Sequence, residues 1–380
     1  MTTLSGLLVA DFSRVLAGPY ATMLLADLGA DVVKVERPGS GDDTRSWGPP
    51  FVAEESTYFV GVNRNKRSIA LDLSAPSDLA LARDLVVRAD VLVENFRPGT
   101  MDRLGLGYST VKSANPRLVY CSITGFGSGA GAGLPGYDLL VQAVGGLMSV
   151  TGDPDGPGVK TGVALVDVIT GLHAAVGILA ALRERDRTGV GQQVSVTLLT
   201  SLLSALVNQA SGYVAAGVVP EKLGNRHPSI APYEVFAAAD RPLVIAVGND
   251  RQFAALCAAL DVPDLARDPR FRTNADRVAH RASLAAALTE RLGTGTADDW
   301  FATLSAVGVP CGPINDVAGA FALAESLGLD PVVRVDDPRR DHPVPQVANP
   351  IHLGAAPAAY RLAPPRLDED AEWVRERLTR

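Results

Sequence analysis

Leu7-Leu-Val-Ala-Asp-Phe12, Gly18-Pro-Tyr-Ala-Thr-Met-Leu-Leu-Ala-Asp-Leu-Gly29 and Asp31-Val-Val-Lys-Val-Glu36 stand almost end to end. The first is a short apolar run of buried-strand type. The second reads as a helix, with Pro19 in its first turn and Gly29 closing it. The third is again an apolar strand, ended by an acidic residue. Strand, helix and strand in this order imitate the opening of a dinucleotide-binding unit. The glycine fingerprint of such a unit is absent, because the turn Ser13-Arg-Val-Leu-Ala-Gly18 carries a single glycine. The alternation continues with a strand at Ser68–Leu73, a helix at Asp78–Ala89, a strand at Val91–Phe96 and a strand at Leu118–Ile123. After a glycine-rich loop come helical segments at Leu139–Leu147 and Asp167–Leu182. This pattern predicts an α/β fold, a mostly parallel sheet with helices on both faces.

The texture changes near Gly217. A loop of turn formers, Gly224-Asn-Arg-His-Pro-Ser-Ile-Ala-Pro-Tyr233, precedes short strands at Glu234–Ala238 and Leu243–Val247 and helices at Gln252–Leu260 and Arg277–Leu292. We read residues 1–216 as a large domain, 217–315 as a small α+β domain and 316–380 as a return to the large one. Proline-rich connections lead there into a charged helix at Asp368–Arg380.

The chain has 380 residues, of which 47% are hydrophobic and 20% charged, and a mean hydropathy of +0.14. That suits a packed protein of more than one lobe. The formal net charge of −7 argues against nucleic acid as a partner. Cys121, Cys257 and Cys311 are far apart and odd in number, which reads as buried thiols in a cytoplasmic protein. The five histidines never fall at helical metal spacing, so no metal is expected. The opening residues lack a basic and apolar leader pattern, and every long apolar stretch is broken by glycine or polar residues, so no membrane span is expected.

Asp167 interrupts the apolar run Gly162-Val-Ala-Leu-Val-Asp-Val-Ile-Thr-Gly-Leu, with no Lys or Arg within a helical turn. A carboxylate there is costly to desolvate unless something holds it. Residue pattern leaves two readings open, a helix-terminal cap or a reactive carboxylate.

Several further segments share one origin. They are Val9-Ala-Asp-Phe-Ser-Arg-Val-Leu-Ala-Gly-Pro19, Val32-Val-Lys-Val-Glu-Arg-Pro-Gly39, Asn63-Arg-Asn-Lys-Arg-Ser-Ile-Ala-Leu-Asp-Leu73, Val93-Glu-Asn-Phe-Arg-Pro-Gly99, Asn115-Pro-Arg-Leu-Val-Tyr120, Gly136-Tyr-Asp138 and Val309-Pro-Cys-Gly-Pro-Ile-Asn315. In this order and spacing the chain, from Leu4 to beyond Asn349, resembles the class III (CaiB/BaiF) CoA-transferases, which include the α-methylacyl-CoA racemases. The resemblance implies a large Rossmann-like open-sheet domain built from the N-terminal half and the C-terminal tail, with the small domain inserted between them. It also implies an interlocked homodimer, and acyl-CoA as a substrate with no permanently bound cofactor.

By the same resemblance Asp167 matches the family's nucleophilic aspartate, which forms an aspartyl-acyl anhydride and then an aspartyl-CoA thioester. Leu16, Ala17, Arg37, Leu71, Asn95, Phe96, Arg97 and Arg103 match CoA contacts. Ser74 stands where some members carry Lys; Lys66 and Arg67, read as a basic loop, are candidate substitutes, and a solvated turn at Asn63–Arg67 is the alternative reading. The glycine-rich segment Gly125–Gly136 suits close backbone approach to the pantetheine arm. Formyl-CoA transferases carry a tetraglycine loop near the counterpart of Gly248 and a Gln at the position of Leu16. This chain has neither.

Racemase relatives read Gly-His-Asp where this chain reads Gly136-Tyr137-Asp138. Removing and returning an α-proton needs two bases, and a tyrosine of ordinary pKa, about 10, is a poor one at neutral pH. Tyr137 is therefore expected to position the thioester. His173, six residues beyond Asp167, falls on another helical face. A hydrolase reading fails because no Gly-x-Ser-x-Gly elbow occurs. The sequence thus predicts a CoA-transferase, with a racemase or a non-catalytic CoA-binding relative as alternatives.

Overall fold

The computed structural model describes residues 2–379 except Ala53. Met1 and Arg380, which bound the spans read above, lie outside the described residues, as does the last residue of the helix expected at Asp368–Arg380. Two compact units result: Met1–Leu147 with Lys160–Val219 and Asp330–Arg380, and Met148–Val159 with Pro220–Leu329. The second unit is longer than the 217–315 read from sequence. It also takes in Met148–Val159, whose turn is tied by Gly224 N donating to Gly152 O at 3.1 Å, and a helix at Val317–Ser326.

Six parallel strands form the sheet of the large unit: β1 Leu8–Asp11, β2 Asp31–Glu36, β3 Lys66–Ala70, β4 Val91–Glu94, β5 Val119–Thr124 and β6 Gln193–Thr197. Their order across the sheet is β3-β2-β1-β4-β5-β6. Successive side chains on a strand point to opposite faces, and each face buries its own core. Val9, Val32, Val91, Val93, Val119 and Cys121 pack on one side, under helices Ala17–Asp27 and Leu165–Thr188. Leu8, Ala10, Val33, Val35, Ile69 and Leu92 pack on the other, under helix Pro76–Arg88 and the C-terminal helix Ala371–Thr379. Covering both faces with apolar side chains is what makes these strands near-continuous hydrophobic runs.

Three local readings change. The third strand starts at Lys66, two residues before the apolar run expected at Ser68–Leu73, because a buried Lys66 and a partly exposed, ion-paired Arg67, not a loop, occupy its beginning. The helix expected at Arg277–Leu292 is two helices, Asn274–Ala279 and Arg281–Leu292, broken at His280. The edge strand β6 and the hairpin of Val332–Val335 with Val344–Val347 are additions to the pattern read from sequence.

One helix bears on the expectation that nothing spans a bilayer, and like the stretches read above it carries polar and glycine breaks, at Asp167, Thr170, Gly171 and Gly177. Helix Leu165–Thr188 has 24 residues and a best-window mean hydropathy of 2.0, enough by length and composition to cross a bilayer. A core helix passes the same test, and Val166, Ala174, Ile178 and Leu182 lie in the core of the large unit. Gly171 sets its distance to helix Ala17–Asp27, since a Cβ there would stand 2.6 Å from Ala17 O.

The second unit has a three-stranded antiparallel sheet, Cys311–Pro313, Pro242–Ala246 and Tyr233–Ala237 in that order. Its core joins Phe236, Leu243, Ile245, Phe253, Leu256 and Leu288. Asn249 caps the first helix of that core, Asp250–Ala259, by accepting from Gln252 N at 2.9 Å.

Candidate active site

In a parallel sheet ordered 3-2-1-4-5-6, the chain leaves β1 and β4 in opposite directions and a crevice opens beyond their carboxyl ends. A cleft of about 200 Å³ lies there. Arg14, Val15, Leu16 and Ala17 enter it from the turn after β1, and Asn95, Phe96, Arg97 and Pro98 from the turn after β4. Thr124, Gly125, Gly136 and Tyr137 come from the two ends of the glycine-rich loop, and Asp167 from the first turn of its helix. Residues as far apart as Leu16, Asn95, Tyr137 and Asp167 therefore share one wall system.

Asp167 does not cap its own helix. Ala164 stands at the cap position and offers no side chain. Asp138 takes the role from outside. Its Oδ1 accepts from Val166 N at 2.8 Å and Asp167 N at 3.2 Å, and its Oδ2 accepts from Gln142 Nε2 at 2.6 Å. Gln142, buried, accepts in turn from Thr161 N at 2.9 Å. The Asp167 carboxyl is left half-buried, and no Lys or Arg pairs with it among the described residues. Burial and then the like charge of Asp138 push its pKa up to about 7. Tyr58 is pushed up to about 12 by burial and by the charge of Asp167.

The two turns are stitched together. Arg14 N donates to Asn95 Oδ1 at 2.8 Å, and Asn95 Nδ2 donates to Arg14 O at 2.7 Å. The Asn95 side chain is thus engaged in bracing the cleft. Gly125 and Gly136 meet backbone to backbone, since a Cβ on Gly125 would fall 2.5 Å from Gly136 Cα. The close approach read from the glycine-rich segment is therefore first an approach of its own two ends.

Other expected contacts lie elsewhere. Arg37 stands outside the cleft wall and faces the cleft-lining Asp43 at 3.5 Å. The Leu71 side chain is buried in the core, and its N–H donates to Glu36 O at 2.9 Å. Arg103 is exposed and donates to Thr100 Oγ1 at 3.0 Å. Tyr137 is 65% exposed at the cleft rim, whereas His173 is turned to Ser201, with 3.0 Å between Nδ1 and Oγ.

Lys66 and Arg67 are not a basic loop. Lys66 is fully buried on β3, donating to Asp11 Oδ2, Pro19 O and Asn63 Oδ1 at 3.1, 2.9 and 2.9 Å. Arg67 lies over the Trp373 ring and pairs with Asp370 at 3.1 Å. Neither is free for a phosphate. Sequence reasoning assigns no role to Arg14, Asp43 or Tyr58. For Arg14 the signal is present, inside the matched Val9–Pro19 segment.

Over residues 4–371 the sequence matches CoA-transferase family III. The chain belongs to that family. Within family III it is 43% identical to the succinate–glutarate CoA-transferase of Agrobacterium fabrum, over 98% of this chain and 94% of that protein. It is 42% identical to the acetyl-CoA:oxalate CoA-transferase of Acetobacter aceti, over 98% of this chain and 94% of that one. Among solved structures, a CaiB/BaiF family protein from Brucella suis superposes with a TM-score of 0.88 at 44% identity, covering 99% of each chain. Class III CoA-transferases use acyl-CoA as substrate.

Proposed function

We propose that the chain transfers CoA from an acyl-CoA donor to a small dicarboxylic acid through covalent intermediates on Asp167. One observation carries the reading: a half-buried carboxylate without a cation, its pKa pushed up to about 7, in the cleft at the switch point. An Asp167 oxygen attacks the thioester carbonyl carbon, the C–S bond breaks, and CoA leaves as thiolate. The thiolate then attacks the aspartyl carbonyl of the mixed anhydride, releasing the donor's carboxylate and leaving an aspartyl-CoA thioester. The acceptor carboxylate attacks that thioester and regenerates an anhydride and thiolate. Attack of the thiolate on the acceptor's acyl carbon frees Asp167. A poorly solvated carboxylate of raised basicity suits each exchange, because anhydride and thioester are of comparable reactivity.

Helix Ala17–Asp27 supports the charge that develops. Its cap residue Leu16 makes no side-chain hydrogen bond to it, so the first N–H groups remain as donors at the positive end of the helix. Leu16 and Ala17 line the cleft, which suits these donors to a thioester oxyanion. We assign Arg97 in the cleft, with Arg37 and Arg103 outside it, to the CoA phosphates, and Tyr137 to positioning the thioester. Arg14, which faces Asp43 at 3.7 Å, is assigned to the acceptor's second carboxylate. The relatives named for glutarate and oxalate support this acceptor class.

The test is CoA exchange from succinyl-CoA, with products identified by mass. Glutarate is expected to outperform valerate by about a hundredfold in kcat/KM, the worth of one charge-assisted pair. Arg14→Ala should remove that preference, and Arg97→Ala should raise the KM for succinyl-CoA. Equal use of glutarate and valerate by the unmodified protein would sink the dicarboxylate assignment, and no exchange with any donor would sink the transferase.

A homodimer belongs to the same reading. Leu172, Val176 and Leu179 form an exposed apolar stripe at helical spacing, 42, 66 and 37% accessible, and Val207, Tyr213 and Val214 are exposed on the helix Val207–Ala216. Sedimentation across a thousandfold dilution should show a dimer with no folded monomer. A monomer with native circular dichroism would contradict it.

A further inference from the structure

We propose that Asp42, charge-paired with Lys34, is the positioning residue of the turn Ser13–Leu16, holding Val15 in the left-handed conformation that brings Arg14 and Leu16 to the cleft. The proposal rests on reading that cleft as the acyl-CoA site. Val15 has φ +68°, a region that a β-branched residue rarely enters unless its surroundings impose it.

The surroundings here are side chains from four places. Ser13 N donates to Asp11 Oδ1 at 3.0 Å, and Ser13 O accepts from Lys34 Nζ at 3.0 Å. Asn95 holds both Arg14 N and Arg14 O. Val15 N donates to both Asp42 oxygens, each at 3.3 Å. Every amide of Ser13–Val15 is thus bound by a side chain rather than by neighbouring backbone.

Asp42 is fixed before it fixes the turn. It is 1% exposed and Lys34 0%, and Lys34 Nζ reaches Asp42 Oδ2 at 2.8 Å. Asp42 also accepts from Thr44 N and Thr44 Oγ1 at 3.0 and 2.8 Å, and its own N–H donates to Glu36 Oε2 at 2.9 Å. Burial raises the Asp42 pKa, and the Lys34 charge with the Lys34 and Thr44 hydrogen bonds overrides it, to about 2. The carboxylate is therefore ionised at any working pH. A buried ion pair is weak evidence for stability, and the transfer chemistry makes no direct use of this one. Its geometry suits it instead to setting the strained Val15 in the cleft wall. With the carboxylate gone, φ of Val15 is free to fall back below zero and carry Arg14 and Leu16 out of place.

The test is rescue. Asp42→Asn should fold and lose about thirtyfold or more in kcat/KM for succinyl-CoA and glutarate, the scale of a misplaced binding group. Adding Val15→Gly should restore about fivefold or more, because glycine takes φ > 0 without steric cost. A merely structural role of Asp42 would not respond to Val15. Should Asp42→Asn fail to fold, Lys34→Met/Asp42→Asn leaves no unpaired charge buried and is read in the same way, with and without Val15→Gly. Unchanged constants in the Asp42 variant, or a loss that Val15→Gly does not recover, would overturn the proposal. Calorimetry of the unmodified protein with CoA separates the two levels. Absent binding refutes the functional reading, whereas normal binding with unchanged constants in Asp42→Asn refutes the positioning role alone.

Discussion

Asp167→Asn should abolish CoA exchange, with kcat reduced by about 10³-fold or more, the scale expected when a covalent relay is removed. Incubating the unmodified protein with succinyl-CoA and no acceptor should leave an adduct that hydroxylamine traps, and peptide mass should place it on the segment holding Asp167. A trapped adduct elsewhere, or full exchange in the Asn variant, refutes the assignment. The pH profile carries a second signature. The reactive form is the carboxylate, and its pKa stands at about 7, so the rate should rise through neutral pH and fall about tenfold per unit below it. Asp138→Asn removes the like charge and should move that midpoint down, while burial keeps it above the ordinary carboxyl value. Stability runs the other way. A carboxyl whose pKa is raised on folding costs stability above its unfolded value, here 3.8, and the full cost is present above about pH 7. Asp167→Asn should therefore melt higher than the unmodified protein at pH 8, with the difference fading towards pH 4.

Asp27→Ala costs about 3–5 kcal/mol of unfolding free energy, the usual penalty for leaving a buried charge without its partner. Asp27 is fully buried and accepts from Arg64 Nη2 at 2.7 Å, Arg64 Nε at 3.0 Å, Asn65 Nδ2 at 2.8 Å and Asn349 Nδ2 at 2.9 Å. Arg64 Nη1 goes on to Val347 O at 2.9 Å, and Asn65 Nδ2 to Ala359 O at 2.7 Å. One carboxylate thus organises the N-terminal half and the returning segment together. Urea unfolding of the variant checks the figure, and a loss below about 1 kcal/mol would show the node to be dispensable.

The sheet was legible wherever strands are buried on both faces, because Leu8–Asp11, Asp31–Glu36 and Val91–Glu94 are unbroken apolar runs in which only their end residues and Lys34 are charged. β6 escaped because Gln193-Val-Ser-Val-Thr alternates on a sheet edge, with polar residues at every other position. Lys66 misled for a physical reason: charge in sequence reads as solvent exposure, and only Asp11, 55 positions away, shows that the charge is paired and buried. The nucleophile candidate was legible from a lone carboxylate in an apolar run. Its cap was not, because Asp138 belongs to another helix and reaches Val166 across 28 residues. Asp42 was invisible as a partner of Val15 for the same cause, since no local pattern announces a left-handed valine.

The large unit takes its last pieces from residues 330–379. Asn349 reaches Asp27 across 322 residues, and Val374 and Leu378 close the face of the sheet that Leu85 and Val86 begin. During synthesis at about 5–20 residues per second, that face waits roughly 15–60 s for its cover. In that interval the nascent chain holds a half-built sheet with an apolar side open to water, while the other unit completes its own core on the ribosome. Truncations that spare every cleft residue but remove the returning segment would leave the nascent chain waiting indefinitely.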